Sequence, residues 1–323
     1  MKAKDYLRLL KNHIDITRVP FSDRGSRLLV FKYPDRNQLY IKLAERLIHL
    51  EPNIEAYLHR QPYIQNMAFI DGDGNELDFE VSCNPYQLLF KTRIGVFEFV
   101  FQEPQTLAIG LPRGMNSGFR FVVFPQYWKS NATGGEFIAV RDLIYTTSSK
   151  VLQNKIRPVE GGFEVEFIVK GGRDSSAVVG VYSLERNQKQ LEPFSKVREA
   201  AKNRWLDWFS RAPEVSPKYA RTYAYAWWVM ANNLISPLGE VLFEAMTPSK
   251  LGYIGLCLWD NAMHALAYRH VDAELARNQI RSMLAHQLPS GMIPDVVYDD
   301  GIVATIDHPI TAEVTKPPIL AWA

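Results

Sequence analysis

Apolar and polar residues alternate with a period of two in short segments between about residue 25 and residue 190. Such alternation predicts β-strands that bury one face. The segments recur at roughly 8 to 12 residue intervals, which is typical of an antiparallel sandwich. The clearest segments are 87–92, 95–101, 118–124, 162–169 and 177–184. We therefore expect residues 1–190 to form an antiparallel β-sandwich domain.

Turn residues separate these segments, and one turn has two interpretations. The segment 71–74 (DGDG) resembles the start of a calcium-binding loop. That loop requires glycine at its sixth position and glutamate at its twelfth, where this chain has Glu76 and Ser82. Because Asp-Gly pairs supply the positive φ that tight hairpins need, the sequence favours a hairpin turn over a calcium site.

Helical spacing replaces the alternation from about Pro193. Residues 194–209 place apolar side chains at steps of three and four, which predicts a helix packed on a core. Pro213 and Pro217 then interrupt the pattern. Residues 191–215 are therefore predicted to form a linker helix between two domains.

Three further segments have helical periodicity. Residues 219–234 and 256–268 are apolar around most of their circumference, which predicts helices buried on more than one side. Residues 270–287 are more amphipathic, with Asp272 as the expected N-cap. Buried and superficial helices in alternation are typical of a double-layered α/α barrel. Residues 216–323 are therefore predicted to contain the first helices of such a barrel.

The last residues of the sequence read KPPILAWA over 316–323. Proline is favoured in the first turn of a helix, but a helix that stops after about one and a half turns is marginal in water. We expect the chain to be cut within a helix. The sequence would then be an N-terminal fragment of a longer protein, and its barrel would be incomplete.

Composition and charge exclude several function classes. The 37 basic and 35 acidic residues give a net charge of +2 without long runs of one sign, which argues against nucleic-acid and membrane-surface partners. The chain has no uninterrupted apolar run of about 18 residues and no secretory signal pattern. Cys83 and Cys257 are too isolated to suggest a disulfide framework or a zinc site. We expect a cytoplasmic protein with no cofactor and no metal, and the sequence makes no prediction of oligomeric state.

Tryptophan is concentrated in the second part of the chain, where six of the seven residues follow position 200. Aromatic rings beside carboxylates commonly bind sugars, because the ring covers the C–H face while the carboxylate accepts from hydroxyls. Trp259 and Asp260 form such a pair within an apolar segment, and Tyr253 lies nearby. Packing in a core is the alternative interpretation of these rings.

Three short motifs follow one another in this region: 258–263 (LWDNAM), 291–295 (GMIPD) and 315–318 (TKPP). Together they resemble three successive motifs of the inverting glycoside hydrolases with an (α/α)6 barrel. The most similar groups are the trehalases, the processing α-glucosidases and the mannosylglycerate hydrolases. In these enzymes the motifs read Trp-Asp-Ser/Thr with an aromatic residue two positions later, Gly-x-Ile-Pro-Asn, and Gln-Pro-Pro. A preceding β-sandwich also suits the α-glucosidase relatives.

The resemblance covers about residues 195–323 by motif and residues 1–190 only by architecture. It implies a multidomain β + α protein in which an antiparallel β-sandwich precedes an incomplete (α/α)6 barrel. It also implies an inverting hydrolase, similar to an α-glucosidase or trehalase, whose partner is an α-linked disaccharide or oligosaccharide. In the family, both catalytic carboxylates follow the Gln-Pro-Pro motif. The resemblance therefore places them beyond Ala323 and implies that this chain alone is inactive.

The resemblance further implies a substrate-binding site. Trp259 and Asp260 would line the subsite for the non-reducing sugar, with Tyr253 close by. Asp295 stands where the family has an asparagine that contacts the sugar, and Lys316 stands where it has glutamine. Each change exchanges a neutral amide for a charge, so the two residues could also form a salt bridge across the floor of the site.

Asp260 has two other interpretations. It could be a structural carboxylate that pairs with His264 one turn later, or with Arg269 or Lys250. It could also be the catalytic acid itself.

Further acidic residues lie downstream, at positions where a catalytic group could occur, although acids in a loop are usually only solvated. They are Asp299, Asp300, Asp307 and Glu313.

Two rival functions stay open at this point. One is a glycoside phosphorylase of similar architecture, in which phosphate replaces the attacking water. The other is a carbohydrate-binding or structural protein without catalysis, which the charges at Asp295 and Lys316 favour.

Overall fold

The computed structural model describes residues 2–51, 53–181, 191–306, 310–317 and 319–323. Strands dominate the first part of the chain. They are β1 Leu28–Lys32, β2 Leu39–Leu43, β3 Ile64–Asp71, β4 Glu80–Asn84, β5 Gln87–Thr92, β6 Gly95–Glu103, β7 Thr106–Gly110, β8 Ser117–Val123, β9 Tyr127–Asn131, β10 Gly134–Ile138, β11 Leu143–Thr147, β12 Val151–Val159, β13 Gly162–Val169 and β14 Ser176–Val181.

Helices and short strands follow one another in the second part. The helices of the chain are α1 Ala3–Leu10, α2 Ile54–Leu58, α3 Phe194–Ser210, α4 Ala220–Asn232, α5 Leu258–Tyr268 and α6 Ala273–Leu284. The remaining strands are β15 Leu234–Ile235, β16 Ala245–Met246, β17 Leu256–Cys257, β18 Val296–Tyr298, β19 Gly301–Val303, β20 Thr305–Ile306 and β21 Ala312–Glu313. Two 3₁₀ helices cover Pro217–Tyr219 and Ile319–Ala321.

The first part of the chain is an antiparallel sandwich of two sheets. One sheet has the strand order β1-β2-β3-β8-β13-β12, and the other has the order β4-β5-β6-β7-β14-β11-β10-β9. Aromatic rings join the two sheets in the core: Phe69 on β3 lies 4.3 Å from Phe97 and 4.9 Å from Phe90, measured between ring centroids. The alternation along the sequence is thus explained, since one face of each sheet packs on the other.

Most predicted strands have the expected bounds. The segments 87–92 and 162–169 are strands over those same residues. The segment 95–101 extends to residue 103, and 118–124 begins and ends one residue earlier. The strand predicted at 177–184 is present as β14 up to Val181, and its remainder lies outside the described residues.

The DGDG segment is a tight turn after β3. The Asp71 carboxylate accepts from the backbone N–H groups of Asp73 and Asn75, both at 3.0 Å. Gly74 has φ of +86°, a conformation in which a side chain would be strained. The Asp71 carboxylate also pairs with the Arg93 guanidinium. These contacts confirm the predicted hairpin turn.

The helix α3 agrees with the predicted 194–209 segment within one residue. Its first half packs on the outer face of the eight-stranded sheet, where Val197 and Ala201 join a cluster with Val100 on β6. Its second half carries Trp205 and Trp208 into the main core. The helix therefore covers the sandwich rather than bridging open solvent.

The three later α-helices are shorter than predicted, and the segment 270–287 is α-helical only over 273–284. The segment 219–234 begins with a 3₁₀ turn and is α-helical only over 220–232. The first two residues of 256–268 form the strand β17, and only 258–268 are helical. After the predicted helix start at Pro317, the structure has only the 3₁₀ helix at 319–321, and Pro318 lies outside the described residues. Three α-helices do not define a barrel, so the (α/α)6 architecture stays a prediction.

The helix α6 begins at the predicted cap. The Asp272 carboxylate accepts from the Leu275 N–H at 2.9 Å. We expect Asp272→Ala to lower the free energy of unfolding by about 1 kcal/mol, because an orphan backbone N–H loses its acceptor. Urea denaturation measures this change. Asp272→Asn is the matched control, since its amide oxygen keeps the cap; an equal loss in both variants would assign the effect to the ion pair with Arg211 instead.

A short loop of the sandwich domain, residues 22–27, joins the two parts of the chain. Gly25 donates its N–H to the carbonyl of Leu234 and accepts from the N–H of Ser236, at 3.0 and 2.9 Å. Its φ of +77° suits glycine. Arg24 binds Glu244 through two bonds of 2.7 Å. The two parts are thus held by backbone and side-chain bonds.

None of the described helices combines the length and apolar character that crossing a bilayer requires.

Candidate functional site

The pairing of β17 with β18 determines where the candidate site forms. Cys257 lies opposite Val296 in this antiparallel pair. As a result, the carbonyl of Asp295 accepts from the N–H of Leu258 at 3.2 Å, at the start of α5. Asp295 is thereby brought to the helix end that carries Trp259 and Asp260.

Lys316 closes the site from the other side. Its ammonium group forms an ion pair with the Asp295 carboxylate, and each side chain is about a quarter exposed. The hydroxyl of the preceding residue, Thr315, donates to the carbonyl of Ile293 at 2.7 Å. The salt bridge that the sequence left as one alternative is therefore formed.

Tyr253 and Cys257 lie near this ion pair. The interaction of the Tyr253 hydroxyl with the Cys257 sulfur, followed by burial, raises the pKa of Tyr253. Burial raises the pKa of the Cys257 thiol to about 11, although the nearby Tyr253 hydroxyl and the charge of Lys316 act in the opposite direction. Both groups are therefore uncharged at neutral pH.

Asp260 lies in the first turn of α5 and is half-buried. Burial raises the pKa of its carboxyl group, while the charge of Lys316 and a backbone hydrogen bond lower it. Carboxylates are favoured at this end of a helix, where backbone N–H groups point outward. The charge of Lys316, which is already paired with Asp295, thus acts on Asp260.

None of the three structural partners considered for Asp260 pairs with it. Burial lowers the pKa of His264 to about 4, so its ring is uncharged at neutral pH. Lys250 is buried against the loop at residues 22–27. Arg269 contacts its neighbouring histidine. A structural pairing of Asp260 with these residues is not formed, and its nearby cation is Lys316 instead.

The two aromatic side chains of the site are open to solvent. Trp259 is 41% exposed and Tyr253 is 47% exposed. By contrast, four tryptophans of α3 and α4 are packed in the core, with at most 5% of their surface exposed. Core packing is therefore the correct interpretation of those four rings but not of Trp259.

The acidic residues downstream have different surroundings from those expected. Asp299 is not solvated: its side chain is 5% exposed and binds Arg27. Asp300 accepts from the backbone N–H of Ile48 at 3.2 Å. Glu313 is exposed on β21, and Asp307 lies outside the described residues. The first two acids hold a loop in place, so the expectation of solvated side chains was wrong for Asp299.

Cys257 is the member of the cluster that the sequence did not single out. Its sulfur interacts with the Tyr253 hydroxyl, and the charges of Asp260, Asp295 and Lys316 act on it. Its position two residues before Trp259 is the feature of the sequence that could have marked Cys257 as part of the site.

Comparison with known proteins finds a family match in the C-terminal part of the chain. Residues 253–323 match the family model of the mannosylglycerate hydrolase MGH1-like glycoside hydrolase domain. This interval contains every residue of the predicted site. The C-terminal segment is thus glycoside hydrolase-like. No curated protein matches the sequence.

Two solved structures share the fold. One is the family GH92 inverting mannosidase from Bacteroides thetaiotaomicron VPI-5482, with a TM-score of 0.55 and 8% sequence identity over 94% of this chain and 51% of that one. The other is a putative kojibiose phosphorylase from the human microbiome, with a TM-score of 0.54 and 10% identity over 90% of this chain and 50% of that one. This chain therefore spans about half the length of each protein.

Proposed function

We propose that the protein is an inverting glycoside hydrolase that acts on an α-linked disaccharide or oligosaccharide. In this proposal Trp259, Asp260, Tyr253, Asp295 and Lys316 bind the sugar. One observation carries it: the half-buried Asp260, the exposed rings of Trp259 and Tyr253 and the Lys316–Asp295 ion pair all lie within the segment that matches a glycoside hydrolase domain, and the charge of Lys316 acts on Asp260.

Each side chain has a role that its surroundings support. The Trp259 ring covers the apolar C–H face of the sugar. The Asp260 carboxylate accepts hydrogen bonds from hydroxyl groups of the sugar. Hydrogen bonds to a charged acceptor are stronger than those between neutral groups. Lys316 and Asp295 are held together and position the opposite edge of the sugar.

Proton transfer is assigned to other residues. Inversion requires two carboxyl groups about 6.5–9.5 Å apart, one to protonate the leaving oxygen and one to activate water. In the described cluster Asp295 is bound to Lys316, so Asp260 is the one carboxylate left for the sugar. We therefore propose that the cluster binds the sugar and that the acid and base lie beyond Ala323.

A glycoside phosphorylase is the second candidate, because the fold is as similar to the phosphorylase as to the mannosidase. The two reactions give different products. Incubation of trehalose, maltose or an aryl α-glycoside with the product of the complete gene should release a free sugar of inverted configuration, detected by NMR. A sugar 1-phosphate formed only with inorganic phosphate would establish the phosphorylase instead. Binding without either product would establish a carbohydrate-binding protein.

Loss of the exposed ring should weaken sugar binding. We expect Trp259→Ala to reduce the affinity of this chain for neutral α-glycosides by about tenfold or more, because the ring supplies most of the apolar contact. Isothermal titration calorimetry with trehalose and methyl α-mannoside measures the change. Tyr127→Ala is the control, since Tyr127 is a similarly exposed ring on the sandwich. Equal affinities in the wild type and Trp259→Ala would contradict the proposed site.

A further inference from the structure

We infer that the ion pair between Lys316 and Asp295 makes the site selective for neutral sugars over sugar acids. The inference deepens the proposed function and rests on it. It assigns to the two residues a role in specificity: they determine the charge of the sugar that binds beside Asp260.

The charges of the cluster leave one negative group in excess. Lys316 contributes one positive charge, and Asp260 and Asp295 contribute two negative charges. Tyr253 and Cys257 contribute none at neutral pH, because the pKa of each is raised from an ordinary value that already lies above neutrality. The face that meets the sugar therefore has a net charge of minus one.

The ammonium group of Lys316 is already bound. A carboxylate or phosphate on the sugar would have to displace Asp295 from it, or lie next to Asp260 without a counter-charge. Hydroxyl groups meet no such obstacle, because they donate to the Asp260 carboxylate. Like-charge contact is a common way in which a site rejects the wrong partner.

Backbone bonds hold both partners of the pair in place. The N–H of Asp295 donates to the carbonyl of Val303 at 2.9 Å, and its carbonyl accepts from Leu258. The Thr315 hydroxyl fixes the chain next to Lys316. The pair is thus preformed by the β17–β18–β19 sheet and does not depend on the arrival of a ligand.

Substitutions at the two positions should change the preference in opposite directions. Asp295→Asn frees the ammonium group and should shift the affinity ratio toward the acid by about tenfold or more. Lys316→Gln leaves two unbalanced carboxylates and should shift the ratio further toward the neutral sugar. The double variant removes one charge of each sign and should restore the wild-type ratio. Asp295→Glu keeps the pair and is the conservative control.

The experiment uses methyl α-D-glucopyranoside and its C6 carboxylate, together with the corresponding mannosides, in calorimetric titrations of the full chain. Thermal unfolding of each variant verifies that it is folded. The wild type should bind the neutral sugar about tenfold more tightly, with a ratio that falls as salt is added. Sugar binding with the same ratio in all variants would overturn the inference and leave the proposed function intact. The absence of binding to any of these sugars would overturn both.

Discussion

Replacing Arg27 with methionine is expected to destabilise the protein by about 3–5 kcal/mol, because it leaves a buried carboxylate without its counter-charge. The side chains of Arg27 and Asp299 are 1% and 5% exposed. Arg27 donates to Asp299 through Nε at 3.0 Å and through Nη2 at 2.5 Å. It also donates to the carbonyl of Ser236 at 2.8 Å. Urea denaturation followed by tryptophan fluorescence measures the loss.

Two further variants test the cause of this loss. Removing both charges, as Arg27→Met with Asp299→Met, should recover most of the stability, since apolar pairs replace buried ion pairs well. Arg157→Met breaks an exposed ion pair with Glu164 and should cost less than about 1 kcal/mol. If Arg27→Met cost no more than Arg157→Met, the buried pair would not stabilise the junction.

The ion pair between Arg27 and Asp299 also lies close in sequence to the candidate site. Asp299 lies in the turn between β18 and β19, and β18 follows directly on Asp295. Arg27 belongs to the loop that joins the sandwich to the C-terminal part. The pair therefore connects the sandwich to the hairpin that positions the site.

The second large effect concerns Lys250, and we expect stability to rise as the pH increases above neutrality. Lys250 is 1% exposed, and its ammonium group donates to the Ser22 hydroxyl and the Asp23 carbonyl, at 3.3 and 3.2 Å. Burial lowers its pKa to about 7. An unfolded lysine keeps its proton to about pH 10.4, so above neutrality the unfolded state binds more protons than the folded state.

This difference in proton binding makes a quantitative prediction. The contribution of Lys250 to the free energy of unfolding should increase by about 2 kcal/mol from about pH 7 to about pH 9. Other groups also titrate in this range, so the measured quantity is the difference between the wild type and Lys250→Met at each pH. Lys202→Met, at an exposed position on α3, should leave the pH dependence unchanged. The same pH dependence in the wild type and Lys250→Met would show that Lys250 keeps its charge in the folded protein.

Local patterns predicted the elements of the fold well where the signal lies within one element. The strands 87–92 and 162–169 follow from alternation, and the start of α6 follows from Asp272 as a cap. The start of α5 was predicted two residues too early, at 256 instead of 258. The reason is that Leu256 and Cys257 pair with β18, which lies far along the chain. When a short buried strand precedes a helix in the same apolar segment, periodicity does not distinguish the strand residues from the helix residues.

In the candidate site, too, the sequence indicated what lies within one segment, and the structure decided how distant residues pair. Tyr253, Trp259 and Asp260 could be proposed together because they lie in one segment. The family motifs also marked positions 295 and 316, but the residues there are charged, and their spacing alone did not decide whether they pair. The sheet formed by β17, β18 and β19 decides it, since it places Asp295 at the start of α5 within reach of Lys316.

The sequence alone determined that strands come first and helices follow, and it predicted that Trp259 and Asp260 form a sugar-binding pair. Periodicity and residue type are local properties, so they can be read along the chain. Only the tertiary structure decided that Trp259 is exposed while four other tryptophans are buried, and that Asp299 is bound to a residue 272 positions away. The burial of a side chain and the partner of an ion depend on which distant segments come into contact. Packing between elements decides this, and the pattern within one element does not.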